Sequence, residues 1–384
     1  MRADNAVTAG TLAERLAQRL QHLRSGNLYR SLHAPRGIDL CSNDYLGLSQ
    51  HPLLKSRMAA AVEQEGAGST GSRLLRGERN CFSHVEQSFA AFKQTERSLY
   101  FSSGYLANLA VLTTFPEAGD VIFSDERNHA SLIDGARLSR ADKVIFPHND
   151  AAALERLLAA RGGSGQTFVV VESLFSMDGD EAPLAKYAEL CRKYNAALIV
   201  DEAHAVGIYG ERGSGLIEAL GIASDVFVSI NTAGKALGVG GAFVAGSENA
   251  IVYLIQRGRP FIFSTAPPPA MAAALEASLE VIEKEPERRG RLLARSAQLR
   301  ARLGLPGTSQ IIPVILGENG LALTVAQALV ADGFDVRAIR PPTVPEGTAR
   351  LRISVNQGLS KIALDRFADA LDAALKMTGR VAKL

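Results

Sequence analysis

TFVVVESLFSMDGDEAPLAKYAELCRKYNAALIVDEAH, Thr167–His204, contains two unbroken apolar runs, TFVVV and AALIV, separated by a segment of helical period, PLAKYAELCRKY. An uninterrupted β-branched run, rather than an alternating one, marks a strand buried on both faces. Two such strands joined by a helix make a parallel crossover unit. The same rhythm extends on both sides. SLYFSS precedes YLANLAVLTTF, DVIFSD precedes HASLIDGARL, KVIFPH precedes AAALERLLAA, and VFVSI lies beyond DEAH. The expected fold is α/β, a mainly parallel central sheet with helices on both faces. Ligands of such sheets sit at the carboxyl ends of the strands.

Toward the C-terminus the pattern changes. PPPAMAAALEASLEVIEKEPERRGRLLARSAQLRARL reads as long helices interrupted at Pro286, followed by QIIPVIL, FDVRAI and ARLRISV strands and two more helices. This predicts a smaller α+β domain. The N-terminal residues give one amphipathic helix, TLAERLAQRLQHL, and a connector. The resulting division is 1–43, helix and connector; 44–279, the large α/β domain; and 280–384, the small domain.

The 384 residues exceed one comfortable core, which fits two domains. A net charge of +2 makes no electrostatic case for nucleic acid or an anionic membrane. The apolar runs are too short to span a bilayer, and the N-terminus lacks the apolar centre of a signal peptide. Three scattered cysteines form neither a metal-type spacing nor a disulfide framework, so a reducing cytoplasm is the expected location.

Four features fall at strand ends. In FSSGYLAN, Phe101–Asn108, small residues and Gly104 open a helix whose free amides suit a phosphate; the plain alternative is a serine cap. In DERNHASL, His129 opens another helix, as a cap or as a flat ring facing a flat ligand. In LIVDEAHAVG, Asp201 ends a buried strand, and a buried carboxylate must meet a partner or protonate. In SDVFVSINTAGKALGVGGAFVAG, Ser224–Gly246, Lys235 follows a strand, with no acidic residue between Asp225 and Glu248. Desolvation there would lower its pKa and make it a usable amine. The letters DEAH also occur in ATP-driven helicases, but those need G-x-x-x-x-G-K-[ST]. The chain's one Gly-Lys pair, Gly234-Lys235, is followed by Ala236, and Ser229 stands where the first glycine belongs. A phosphate, a planar ring, a cationic ring nitrogen and an aldehyde are together what pyridoxal 5′-phosphate offers to these four sites.

These residues lie within blocks that resemble the α-oxoamine synthases, fold-type-I pyridoxal-phosphate enzymes, from about Leu28 onward. The blocks are SNDYLGL (Ser42–Leu48), GAGSTGSRLLRG (Gly66–Gly77), FSSGYLAN, DERNHASL, ESLFSMDGDEAPL (Glu172–Leu184), VDEAHAVGIYGERGSG (Val200–Gly215), TAGKALG (Thr232–Gly238) and IRPPTVPEGTARLRIS (Ile339–Ser354). The resemblance implies that Lys235 carries the cofactor and moves the substrate α-proton. It implies that Asp201 pairs with the ring nitrogen, that His129 stacks on the ring, and that Ser176 and His204 bond its phenolic oxygen. Gly104, Tyr105 and Thr232 would hold the phosphate. Arg352 would pair with the amino-acid carboxylate, Asn43 would line the site, and Thr343 and Arg30 match substrate contacts. Family members are homodimers with shared sites, and Thr265 in FSTAPPP would reach the neighbour's phosphate.

Within the family, IRPPTVPEGTARLR looks most like members that condense L-alanine with a pimeloyl thioester, carried on coenzyme A or a carrier protein. Glycine acetyltransferases, 5-aminolevulinate synthases and sphingoid-base synthases are the rivals. A non-catalytic partner subunit is the rival from another class, and it would be expected to lack the lysine. Two departures stand out. Only SLHAPRGIDLC fills a gap where the family usually has a β-hairpin, and Ala233 replaces a larger apolar residue.

Overall fold

The computed structural model describes residues 11–378. Helix α1 (Leu12–Ser25) starts at Thr11, whose hydroxyl and Glu14 form a reciprocal capping box. A connector follows, containing β1 (Ile38–Asp39), then α2 (Pro52–Glu65) and α3 (Asn80–Lys93). The large domain then runs β2 (Arg97–Phe101), α4 (Gly104–Thr114), β3 (Val121–Asp125), α5 (Ala130–Leu138), β4 (Asp142–Phe146), α6 (Ala151–Ala160), β5 (Thr167–Glu172), α7 (Leu184–Tyr194), β6 (Ala196–Asp201), α8 (Leu216–Ala219), β7 (Val226–Thr232), β8 (Ala242–Gly246), α9 (Glu248–Arg257) and α10 (Arg259–Ile262). Helices α11 (Pro269–Lys284) and α12 (Glu287–Leu303) flank Pro286. The C-terminal part is β9 (Ile311–Gly317), α13 (Asn319–Ala331), β10 (Phe334–Asp335), β11 (Ala338–Ile339), β12 (Ala349–Ser354) and α14 (Lys361–Met377).

The seven-stranded sheet has the order β2-β8-β7-β6-β5-β3-β4. Strand β8 is antiparallel to both its neighbours, and the other pairs are parallel. The period of two along each strand divides the core. Val169, Val171, Leu198 and Val200 face a cluster shared with Phe89 of α3 and Tyr187 of α7. Phe168, Val170, Ile199 and Val228 face a second cluster, with Leu112 of α4, Leu132 of α5 and Ile251 of α9. Both faces are therefore buried, which is why these strands carry no alternating polar residues.

The small domain is a three-stranded antiparallel sheet, β11-β12-β9, packed with α12–α14. The FDVRAI segment expected as one strand is split: β10 pairs with β1, and β11 pairs with β12. The boundary expected at 279/280 falls inside α11, which continues to Lys284 just before the Pro286 break. The short connector in place of a hairpin supplies one two-residue strand, β1.

Candidate active site

Parallel strands β3, β5, β6 and β7 end together at Asp125, Glu172, Asp201 and Thr232, and the turn after β7 presents Lys235. The Lys235 amine lies 2.7 Å from His204 Nε2. Burial lowers its pKa to about 8; Asp201 and Glu172 oppose that shift, and Arg352 adds to it. His204, in the turn after β6, is 4% exposed. Burial, reinforced by the charges of Lys235 and Arg352, holds its pKa well below the usual imidazole value, so it is neutral.

Asp201 has no cationic side chain within ion-pair distance among the described residues. Its carboxylate accepts from Asn108 Nδ2 at 2.7 Å and from the Ala203 amide at 2.8 Å. Asn108 also donates to Ser131 Oγ at 2.8 Å, and Ser131 Oγ lies 2.7 Å from His129 Nδ1. His129 caps α5 through the Ser131 amide, so the capping alternative is realised here. One hydrogen-bonded line thus runs from the acid to the imidazole, and burial lowers the His129 pKa.

Gly104 opens α4. A Cβ on it would meet Thr232 Oγ1 at 2.4 Å, so the helix start lies directly against the end of β7. Ser103 caps the Leu106 amide. The amides of Gly104 and Tyr105 have no acceptor among the described residues, as expected for a first helical turn. The Tyr105 side chain points away and donates to Asp134.

Arg352 comes from the other domain, on β12. Its guanidinium donates to the Ser176 carbonyl, to Asn43 Oδ1 at 3.0 Å, to Ser354 Oγ at 2.7 Å and to the Tyr45 hydroxyl at 3.2 Å. Gln310 of the same domain donates to the His204 carbonyl at 2.8 Å. Ser176 lies in the turn after β5, with its side chain half-buried.

Lys235, His204, Asp201, His129, Ser176, Asn43 and Arg352 thus gather beyond the strand ends in two hydrogen-bonded groups, one from Asp201 to His129 and one from Lys235 to Arg352, with Thr232 and Gly104 packed against each other beside them. Arg30 and Thr343 join neither group. Arg30 donates to the Arg340 and Pro341 carbonyls at 3.4 and 3.0 Å, and exposed Thr343 stands two residues further on, with its amide on the Arg340 carbonyl. Thr265 is exposed and lines a small cleft with Ser102 of its own chain.

Sequence reading missed Asn108, Ser131, Glu172 and Tyr45. Asn108 could have been found, because it lies one helical turn beyond Gly104 and so faces the same way. Glu172 sits in register with Asp201, 3% exposed. Burial and the Asp201 charge raise its pKa to about 8, while the backbone amides of His129 and Ser176 favour its charged form. Tyr45 is fully buried, two residues after Asn43.

Comparison with known proteins identifies the family. The model of the family "Aminotransferase class I and II" matches residues 35–371. The chain belongs to that family, and within it to the α-oxoamine synthases. The 8-amino-7-oxononanoate synthase of Geobacter sulfurreducens is 44% identical over 95% of this chain and 99% of its own length. The one from Cupriavidus taiwanensis is 46% identical over 88% and 87%. A serine palmitoyltransferase from S. paucimobilis, solved with a bound PLP–myriocin aldimine, superposes with a TM-score of 0.90, covering 96% of this chain and all of that one at 28% identity. The 8-amino-7-oxononanoate synthase structure from Francisella tularensis gives a TM-score of 0.76 at 30% identity, covering 89% of this chain and 98% of that one.

The donor set fits pyridoxal phosphate. Asp201 is a buried acid whose partners are all neutral, which leaves it the counter-charge for a cationic ring nitrogen. Two unpaired amides and the Thr232 hydroxyl form an anion cradle. The buried amine of Lys235 has a depressed pKa, as an amine that attacks an aldehyde requires.

Proposed function

We propose that this chain is a pyridoxal-phosphate-dependent 8-amino-7-oxononanoate synthase. It joins L-alanine to a pimeloyl thioester with loss of carbon dioxide and release of the thiol, in biotin biosynthesis. The observation that carries the reading is the placement of Asp201 at the end of β6, hydrogen-bonded to Asn108 of α4, and of Lys235 just beyond the adjacent β7, whose last residue, Thr232, lies against the Gly104 start of α4. The relatives named 8-amino-7-oxononanoate synthase support the product, and the pairing of alanine with a pimeloyl thioester is part of the proposal.

Gly104, Tyr105 and Thr232 would hold the phosphate, Asp201 would pair with the ring nitrogen, His129 would lie against the ring, and Ser176 and His204 would bond the phenolic oxygen. Bound pyridoxal phosphate supplies an electron sink for the charge that develops at the alanine Cα. Lys235 would anchor the group and, as a free amine, would take the Cα proton of the amino acid. With a pKa near 8, about a tenth of it is neutral at pH 7, far more than for an ordinary lysine, and that fraction can serve as the general base. Arg352 and Asn43 would orient the amino-acid carboxylate, and that orientation would decide which Cα bond is broken. Arg30 and Thr343, together at the Arg340–Thr343 corner, face the acyl chain.

The exposed Leu12, Leu16 and Leu20 of α1, with Leu75 and Phe263, fit a homodimer in which a second copy covers them and Thr265 reaches its phosphate. No helix among the described residues is long and apolar enough to cross a membrane. We place the enzyme in the cytoplasm.

The decisive assay pairs alanine, glycine and serine with pimeloyl, acetyl and succinyl thioesters. Alanine with pimeloyl is the expected optimum, and a clear preference for glycine with a short acyl group would overturn the assignment. The same assay with coenzyme A and carrier-protein thioesters identifies the acyl donor.

A further inference from the structure

We propose that Tyr45 is a positioning residue: it holds His204 with its proton on Nδ1, and it relays to Lys235 the arrival of an amino-acid carboxylate at Arg352. The inference rests on the reading of Lys235 and Arg352 given above.

The direction of each hydrogen bond can be deduced in turn. Asn43 Oδ1 faces an Arg352 N–H at 3.0 Å, so it is an acceptor. Tyr45 Oη lies 3.0 Å from that same oxygen, and the only hydrogen available between them is the phenolic one. Tyr45 has then spent its single donor, so toward His204 Nδ1, 2.8 Å away, it must accept. The Nδ1 therefore carries the proton, and Nε2 is left bare to accept from Lys235 Nζ at 2.7 Å. Tyr45 Oη also accepts from Arg352 Nη2 at 3.2 Å. Burial raises the Tyr45 pKa, against the opposing pull of Arg352 and of the Gln310 side chain, so the phenol keeps its proton. A buried hydroxyl ringed by Asn43, His204, Arg352 and Gln310 has no freedom to turn.

The coupling comes from the donor count at Arg352. A guanidinium has five N–H groups. Ser176 takes the one on Nε, Asn43 and Ser354 take both on Nη1, and Tyr45 takes one on Nη2. A single Nη2–H remains among the described residues. A carboxylate reaching Arg352 therefore lands on the free Nη2–H, on the same nitrogen that Tyr45 depends on, and its negative charge weakens the N–H that nitrogen offers to Tyr45. The phenol oxygen then leans more heavily on the His204 Nδ1–H, and Nε2 becomes a better acceptor for whatever donor faces it.

The test uses the cofactor-loaded protein labelled with ¹⁵N-histidine, with His204 assigned by the loss of its signals in His204→Gln. The wild type is expected to show a neutral ring protonated on Nδ1, and Tyr45→Phe to shift that proton partly or wholly to Nε2. Alanine is compared with ethylamine, which presents the same amine without a carboxylate. In the wild type the two give different Nδ1 positions, and in Tyr45→Phe that difference is lost. If Tyr45→Phe does not fold, Asn43→Ala keeps the phenol, and the same signals are expected to move the same way by less. A wild-type proton on Nε2, or a Tyr45→Phe spectrum identical to wild type, overturns the tautomer assignment. Equal effects of alanine and ethylamine overturn the relay. A wild type whose cofactor absorbance ignores both amines sinks the functional reading instead, while the tautomer result still stands or falls by itself.

Discussion

Lys93 at the end of α3 forms an ion pair with Glu202 in which neither side chain is reached by solvent, at 2% and 0% exposure. Glu202 also accepts the Ile217 amide, and Lys93 also donates to the Ser214 carbonyl, so the pair ties the turn after β6 to the loop before α8. Removing one partner leaves an uncompensated buried charge. Lys93→Met is expected to destabilise the protein by about 3 to 5 kcal/mol, and Lys93→Met combined with Glu202→Leu to recover most of that loss. Urea unfolding of the two variants measures both. An unchanged midpoint in the single variant would show that the pair contributes nothing.

Cofactor capture should report the state of Lys235. Only the neutral amine attacks an aldehyde, and the Lys235 pKa is lowered to about 8 by burial. The rate at which cofactor-free protein binds pyridoxal phosphate should rise about tenfold per pH unit below that value and level off above it. Borohydride should then fix the group on Lys235, and Lys235→Ala should lose about 10²- to 10⁴-fold in turnover. A flat rate profile, or label on another lysine, contradicts the assignment.

Gly104→Ala places a methyl within 2.4 Å of Thr232 Oγ1. The expected result is weaker cofactor binding by about tenfold or more, since a cost of about 1–3 kcal/mol is usual for overpacking. Thr232→Ala in the same chain opens the space and should restore part of the affinity, unless the hydroxyl's own contact with phosphate outweighs the relief. Equilibrium dialysis against pyridoxal phosphate separates these cases.

Arg352→Lys keeps the charge and loses the fork that reaches Ser176, Asn43, Ser354 and Tyr45 together. The Michaelis constant for alanine should rise by roughly 10- to 100-fold, the equivalent of one charge-assisted hydrogen bond. Cofactor content should stay unchanged. Loss of cofactor with no change in alanine affinity would mean that Arg352 serves the fold rather than the substrate.

His148 bridges Asp125 at 2.9 Å and Asp180 at 2.7 Å, fastening the turn that carries Ser176. Burial opposes the shift, but the two carboxylates win and raise its pKa from 6.5 to about 9. A folded-state pKa above the unfolded one gives stability that is fully present below about 6.5 and lost as pH rises through about 9. After screening of a half-buried group this is worth about 2 kcal/mol. His148→Gln should remove that stretch of the pH–stability curve, as thermal melts between pH 6 and 10 would show.

The layered architecture was legible because Thr167–Val171 and Ala197–Val200 are apolar without interruption, which a strand exposed on one face cannot be. The strand-end positions of Lys235 and Asp201 were legible, because a lone cation after one buried strand and an acid at the end of another need an explanation. The partners were not. Nothing in the letters distinguishes Asp201, which faces the site, from Glu202, which turns inward to Lys93. Tyr45 and Arg352 meet across 307 positions of sequence, and neither has a local pattern that names the other. The split of the FDVRAI segment was also hidden, because its two halves pair with strands from opposite ends of the chain.

Arg352 arrives on a strand of the small sheet, while Lys235 and Asp201 stand on the large one. In the proposed assignment, bond breaking and substrate choice therefore fall to different pieces of the molecule. Substitutions in the Arg340–Thr343 corner, which has no hydrogen bond to the Lys235 group among the described residues, are then expected to change what is accepted while leaving the strand ends in place. A fold divided in this way can keep one chemistry while its substrates diverge.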